Sequence, residues 1–429
     1  MGQYFLIKGG KSLNGEIDVC GSKNAATPII AASLLTKEKS VISNLPLIED
    51  VFNMLRILES MDVKVKWLKE RTVEIDPKNL NLDNVNQKLI KKLRSSVLLI
   101  APLCHHFKKF SLAQPGGCVI GARSIDTHLE AIQQFGAKVK ITSDKYIFSC
   151  DNLTAQEVIL KEFSVTATEN ILMLASVLPG KTVIKIAAIE PHVLDLVKFL
   201  QGMGADIKEL PGHIFEINGK KSLSGNTKHM IIPDPVEAGT FIIMAITCHG
   251  KITINNVRID HLDLVFRKLE EFGAKFEFIL QNKKENLYSV KIKPILHLDA
   301  VPKIQTLPYP GIPTDLQSMF GVLATQANGT TVIHDPMYEG RLKYIDELNK
   351  MGANAIIADP HRAIISGPTP LYGKDITSFD LRTGACLIIA ALLAKEQTKI
   401  GDIYQVDRGY EKIEERLTKL GANIKRIEE

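Results

Sequence analysis

One cysteine stands in a stretch that cannot be a regular helix: Gln114-Pro115-Gly116-Gly117-Cys118-Val119-Ile120-Gly121-Ala122-Arg123, with three glycines and a proline. A loop that presents one thiol and one guanidinium suits proton transfer or covalent chemistry, because a thiol near cations is biased toward the reactive thiolate. The plain alternative is a connector with an incidental cysteine, and the loop alone does not separate the two. Other charged groups cluster at the starts of apolar, helix-like stretches: Lys23 and Asn24 in Gly21-Ser22-Lys23-Asn24, Arg94 before Ser95, Asp315 in Pro313-Thr314-Asp315, and Asp380 with Arg382. Arg341 and Arg408 lie in Glu339-Gly340-Arg341 and Asp407-Arg408-Gly409-Tyr410-Glu411. Singly, Asp315 and Asp380 could cap helices, and Arg341 or Arg408 could be paired surface cations. Together, several guanidiniums and an ammonium near helix N-termini suit phosphate and carboxylate groups, so the expected ligand carries several negative charges. No GxxxxGK[ST] loop is present and no GxGxxG follows a strand, which disfavours ATP hydrolysis and hydride transfer.

The elements that must position these groups are repeated six times. Five clear copies of one phrase are Phe135-Gly136-Ala137, Met203-Gly204-Ala205, Phe272-Gly273-Ala274, Met351-Gly352-Ala353 and Leu420-Gly421-Ala422, and Met61-Asp62-Val63 is a degenerate first. Each follows an amphipathic helical pattern and precedes alternating residues that read as a strand. The glycine suits a helix end in the left-handed region. Upstream of five of these helices lies a second strand-like stretch, such as Thr182-Val183-Ile184-Lys185. Before it, in all six units, comes a more apolar helix: residues 25–35, 95–103, 169–178, 238–248, 316–324 and 383–393. A helix that is apolar nearly all round belongs in an interior, with sheets and amphipathic helices outside it. At 429 residues the chain exceeds one comfortable core, so two lobes of three units are expected. Equivalence of the units then makes the charged helix starts converge on one end of each lobe, with a cationic cleft between the lobes.

Composition narrows the partners. Lysine and arginine (53) against aspartate and glutamate (48) leave +5, interspersed, which argues against nucleic acid and allows small anionic substrates. No apolar run approaches about 18 residues and the start lacks a signal-peptide layout, so no membrane insertion and a cytoplasmic location are expected. The six cysteines show no CxxC pairing and no histidines at zinc spacing. Cys248 and Cys386 read as buried small hydrophobes. Cys104-His105-His106 lacks third and fourth ligands nearby, so no metal is expected.

Taken together, Gly21-Ser22-Lys23-Asn24-Ala25-Ala26, Pro115-Gly116-Gly117-Cys118 with Gly121-Ala122-Arg123, Pro313-Thr314-Asp315, Asp380-Leu381-Arg382 and Asp407-Arg408-Gly409-Tyr410-Glu411 resemble the UDP-N-acetylglucosamine 1-carboxyvinyltransferase family. The resemblance spans essentially the whole chain. It implies the inside-out α/β barrel: two lobes, each of three repeated units with buried helices and outer sheets. Residues 22–230 form the N-terminal, sugar-nucleotide lobe carrying the Cys118 loop, and 1–21 plus 231–429 the C-terminal lobe carrying Asp315 and Arg408. The implied reaction transfers the enolpyruvyl group of phosphoenolpyruvate to UDP-N-acetylglucosamine with no cofactor or metal, and the lobes close on the sugar nucleotide. Lys23, Arg123 and Arg408 match the phosphoenolpyruvate contacts, supported by Arg341 and Arg382. Cys118 matches the proton donor, able to carry a covalent adduct and to be alkylated by the epoxide fosfomycin. Asp315 matches the general base. Asn24, Arg94, Arg123, Ser124, Ile125, Asp126, Thr127, Ser164, Val165, Met337 and Asp380 fall at substrate-binding positions.

The chain departs from the family at Glu162, where some relatives carry lysine, and at Thr166, where glycine is usual. His192 and Pro235 also replace charged residues of some members. An acid beside a diphosphate repels it, so Glu162 is expected to point away, or Lys161 to compensate it. Three alternatives stay open: a sister transferase acting on shikimate 3-phosphate, a paralogue with another acceptor, and a non-catalytic nucleotide-sugar sensor. Cys118 and the chain length disfavour the first, and Glu162 with Thr166 are the only hints of the second. A sensor has no need of the acid and base.

Overall fold

In the computed structural model, residues 2–116, 124–293, 295 and 297–428 are described. The described residues of Met1–Cys20 and Pro233–Glu429 form one compact unit, and those of Gly21–Gly117 and Ser124–Ile232 the other. Each has its own apolar core. At the centre of the first pack three mutually contacting helices, Pro235–Thr247, Gln317–Gln326 and Leu381–Leu393. Every residue of Leu381–Leu392 is buried, which is why the sequence can be apolar all round. In the second unit Lys23–Ala32, Ile100–His106 and Val165–Ser176 take the same role. The second of these is directly preceded by the 3₁₀ stretch Arg94–Leu99.

Around each set of helices lie three sheets, six among the described residues. A repeat contributes a strand after its interior helix, an amphipathic helix, and a hairpin that pairs antiparallel with that strand. Gly180–Lys185 with Asp206–Leu210 and Ile214–Gly219 is an example. A short strand from the preceding segment adds in parallel on the other edge, as Glu157–Ile159 does here. This is the inside-out α/β arrangement, helices within and sheets without.

Two features stand outside the repeating pattern, and the second follows the expectation that residues 1–21 join the C-terminal lobe. The second repeat also has an upstream strand, Lys109–Ala113, whose Phe110 and Leu112 point inward while Lys109 and Ser111 point out. Among the described residues its sheet has three strands rather than four, with no parallel edge strand. In the sixth repeat Asn423–Glu428 is the first hairpin strand, and no second one follows it among the described residues. The missing central strand is supplied by Gln3–Lys8, which pairs with both Asn423–Glu428 and Gln397–Gly401 and buries Phe5 and Ile7 completely.

The recurring phrase has one backbone role. Gly136, Gly204, Gly273, Gly352 and Gly421 all have φ between 90° and 103°, just past an amphipathic helix, and Asp62 of the degenerate copy has φ 60°. Aspartate is among the few residues with a side chain that tolerate this region, so the first repeat keeps the turn without the glycine.

Candidate active site

In the unit that contains Asp315, the two acids at helix starts divide their roles. Asp380 is a helix cap: its carboxylate accepts from the backbone N–H of Arg382 (2.8 Å) and Thr383 (3.2 Å), and from the Thr383 hydroxyl. Asp315 is not. It sits in the 3₁₀ turn Thr314–Leu316 that leads into Gln317–Gln326, and no side chain caps either helix. Its carboxylate instead accepts from Arg341 Nη2 at 2.5 Å and from Arg382 Nε at 3.0 Å. Arg341 is no surface cation: it is 8% exposed, reaches Asp380 at 3.6 Å and Thr314 Oγ1 at 3.4 Å, and lies over the Tyr338 ring. Arg382 is 3% exposed, with its guanidinium over Tyr410.

Burial opposes the charge on both arginines, but the carboxylates more than offset it: Asp315 and Asp380 raise Arg341, and Asp315 leads in raising Arg382. The network is still incomplete among the described residues, because Arg382 Nη1 is buried with nothing accepting from it. A buried guanidinium N–H facing no acceptor is costly unless a ligand oxygen takes it. Arg408 is also buried, and its Nη1 donates to Gln405 at 3.0 Å.

Sequence reasoning missed three supports of this cluster. Asp335 accepts from the Thr314 hydroxyl and from the Met337 N–H (2.5 and 2.9 Å), so a ligand contact at Met337 falls to its carbonyl or side chain. Tyr410, fully buried, shares a 2.9 Å hydrogen bond with Thr240 and flanks Arg382. Arg426 grips Asp407 through both terminal nitrogens (2.9 and 2.7 Å), anchoring the residue before Arg408. The clue for Asp335 was its place in the same strand-to-helix loop as Arg341; nothing local pointed to Thr240.

In the other unit Ser22 caps the helix Lys23–Ala32 by accepting from Ala25 N–H at 3.4 Å, which puts Lys23 and Asn24 in its first turn. Lys23 pairs with Asp50 at 2.8 Å, the carboxylate side chain 5% exposed. Arg94 Nη2 donates to the Ser124 carbonyl at 3.0 Å, and Ser124 Oγ accepts from the Asp126 N–H at 3.0 Å. These bonds tie Arg94, Ser124 and Asp126 into one group. Ile125, 2% exposed, has only its backbone to offer. Ser164 and Val165 begin the helix Val165–Ser176, where Ser164 makes no side-chain cap.

The departures have partners too. Glu162 accepts from the Thr127 hydroxyl at 2.9 Å, so it lies beside the expected sugar-nucleotide residues. Lys161 pairs with Glu130 at 2.5 Å. Thr166 Oγ1 is 2.7 Å from His128 Nε2. Cys118 and Arg123 lie outside the described residues. The segment leading to them is held by Gln114 N–H on the Asp144 carbonyl (3.1 Å) and Gly116 N–H on that of Lys91 (2.9 Å).

Residues 7–417 match the family model described as EPSP synthase (3-phosphoshikimate 1-carboxyvinyltransferase). The chain is 41% identical over 423 residues to a UDP-N-acetylglucosamine 1-carboxyvinyltransferase of Halothermothrix orenii, covering 99% of each. It is 38% identical over 429 residues to that of Helicobacter pylori, again covering 99% of each. In structure it resembles the enolpyruvyl transferase NikO from Streptomyces tendae, with a TM-score of 0.88 over 99% of both chains at 23% identity, a likeness of fold. The chain therefore belongs to the EPSP synthase family, among the UDP-N-acetylglucosamine 1-carboxyvinyltransferases.

Proposed function

We propose that this chain transfers the carboxyvinyl group of phosphoenolpyruvate to the 3-hydroxyl of UDP-N-acetylglucosamine, releasing phosphate in the first committed step of peptidoglycan synthesis. The observation that carries this is the Asp315–Arg341–Arg382 cluster with its unmet Arg382 N–H, in a chain with full-length relatives of that name at 37–41% identity. The reaction is addition followed by elimination: the methylene carbon is protonated to a methyl group, the hydroxyl attacks the adjacent carbon and gives up its proton, and phosphate then leaves while the methyl group loses a proton to restore the vinyl double bond. It needs an acid, a base and fixed cations around phosphate and carboxylate.

Lys23, Arg123 and Arg408 bind the phosphoenolpyruvate anion in this reading, with Arg341 and Arg382 behind them. Cys118 delivers the proton to the methylene carbon. Asp315 accepts the proton of the attacking hydroxyl. Two guanidiniums orient its carboxylate, and a substrate anion that shares their N–H groups loosens their hold and frees it to act as base. Asn24, Arg94, Ser124, Ile125, Asp126, Thr127, Ser164, Val165, Met337 and Asp380 serve the sugar nucleotide or the groups that hold it. Glu162 enters that site as an acceptor already bound to Thr127, which suits a sugar hydroxyl better than a diphosphate oxygen. No described helix is long and apolar enough to cross a membrane. We place the reaction in the cytoplasm, where phosphoenolpyruvate and nucleotide sugars are made.

Phosphate release from phosphoenolpyruvate tests the reading, with UDP-N-acetylglucosamine or shikimate 3-phosphate as acceptor, in wild type and Cys118→Ala. Release with the sugar nucleotide alone, lost in the variant, is expected. Release with shikimate 3-phosphate assigns the sister reaction, and none with either acceptor sinks the transferase assignment.

A further inference from the structure

Away from the residues assigned above, Cys104 and Cys150 meet. Cys104 lies in the helix Ile100–His106, and Cys150 directly follows the strand Lys145–Ser149. Their sulfurs are 3.1 Å apart and share an S–H···S hydrogen bond, while both thiols are free. A disulfide needs about 2.05 Å between sulfurs, so closure asks for roughly 1 Å of movement. Among the described residues no three histidine, cysteine or acidic side chains are grouped to hold an ion. We propose that Cys104 and Cys150 form a redox-responsive site that a hydroperoxide converts to an intrachain disulfide.

Chemistry and placement give the order of events. The shared hydrogen bond lowers the Cys150 thiol and raises that of Cys104, and Cys150 is also the less buried of the two, so Cys150 is the sulfur that attacks first. Cys150, 8% exposed against 4% for Cys104, directly precedes Asp151 and Asn152, both exposed. Its sulfur attacks a peroxide oxygen, the O–O bond breaks, and water or an alcohol leaves with formation of the sulfenic acid. The Cys104 sulfur then attacks the Cys150 sulfur, the S–O bond breaks and water leaves. Two thiols lose two protons and two electrons, and the peroxide takes them up.

The cross-link would bridge residues 46 apart and enclose the whole segment Gln114–Arg123 with Cys118 between its ends. It would tie the end of an interior helix to the outer strand that pairs with Lys109–Ala113. In reducing compartments, disulfides of this kind are transient and sensing rather than structural.

The test uses full-length Cys118→Ala protein, so that the expected catalytic thiol cannot contribute. It is treated with a few equivalents of hydrogen peroxide, denatured, alkylated and mapped by mass spectrometry. A Cys104–Cys150 linked peptide that dithiothreitol cleaves is expected, with a rise in Tm of roughly 5–10 °C before reduction. Full alkylation of both cysteines after peroxide overturns the proposal. So does sulfinic or sulfonic acid on Cys150 with no linked peptide. Cys104→Ser should abolish the linkage, and if that variant does not fold, the peptide map of the Cys118→Ala protein still decides.

Discussion

Replacing Asp315 by asparagine separates the structural and chemical roles of the arginine cluster. The change keeps the shape of the side chain and removes the charge that faces Arg341 at 2.5 Å and Arg382 at 3.0 Å. Breaking a buried ion pair by removing one partner costs about 3–5 kcal/mol, because the other charge is left uncompensated. Two facts reduce that here. The Asp315 side chain is 22% exposed, so water screens part of the loss, and Arg341 keeps Asp380 at 3.6 Å. A destabilisation of about 2–3 kcal/mol is therefore expected, or a fall in Tm of roughly 5–10 °C for a unit of this size. Catalysis should respond differently. The two arginines become better anion binders once freed of the carboxylate, so KM for phosphoenolpyruvate is unchanged or lower, while loss of a general base cuts kcat by about 10²–10⁴. Urea unfolding and steady-state phosphate release read the two effects separately. A stability change below about 0.5 kcal/mol with kcat within tenfold of wild type would refute the reasoning. A raised KM with kcat intact would reduce Asp315 to a positioning residue.

Three further outcomes are expected. Fosfomycin should add covalently to Cys118 in the presence of UDP-N-acetylglucosamine, so an unmodified intact mass after incubation would argue against the active-site cysteine. Burial, with Glu190 adding to it, holds the Glu169 carboxyl well above its ordinary 4.5, and its Oε1 lacks a partner. A raised folded pKa contributes stability that is present below 4.5 and lost as pH rises, so Glu169→Gln should gain on wild type between pH 5 and pH 8, by about 1–3 kcal/mol; urea midpoints that move in parallel at both pH values contradict this. Among the repeat glycines, Gly204→Ala meets nothing closer than Ser224 Oγ at 3.5 Å and should cost about 1 kcal/mol for its φ of 90° alone. Gly136→Ala also drives Cβ to 2.7 Å from the Asn152 carbonyl and should cost clearly more in the same unfolding assay; equal costs would show that the contact yields freely.

Much of the fold was legible because it is written locally. The left-handed turn needs one residue type at one place, and it recurs at Gly136, Gly204, Gly273, Gly352 and Gly421 and, as aspartate, at 62. The interior helices announce themselves by being apolar on every face, as in Leu381–Leu393. Lys109–Ala113 escaped because only Phe110 and Leu112 of its five residues carry the alternation. The pairing of Gln3–Lys8 with Asn423–Glu428 joins the two ends of the chain, a separation over which no periodicity speaks.

The chemistry-bearing residues themselves were determined by sequence: which helix starts carry lysine, arginine or aspartate, and which glycine-rich stretch carries the thiol. Their partners were decided only by tertiary packing. Asp315 and Asp380 stand at equivalent helix starts and look alike as letters, yet one caps its helix and the other is held by arginines 26 and 67 residues away. Lys23 meets Asp50, Glu162 meets Thr127, and Cys104 meets Cys150 for the same reason. A backbone turn or a buried face is satisfied within a few residues, whereas a charge or a thiol takes the nearest complementary group in space, and only the folded chain determines which group that is.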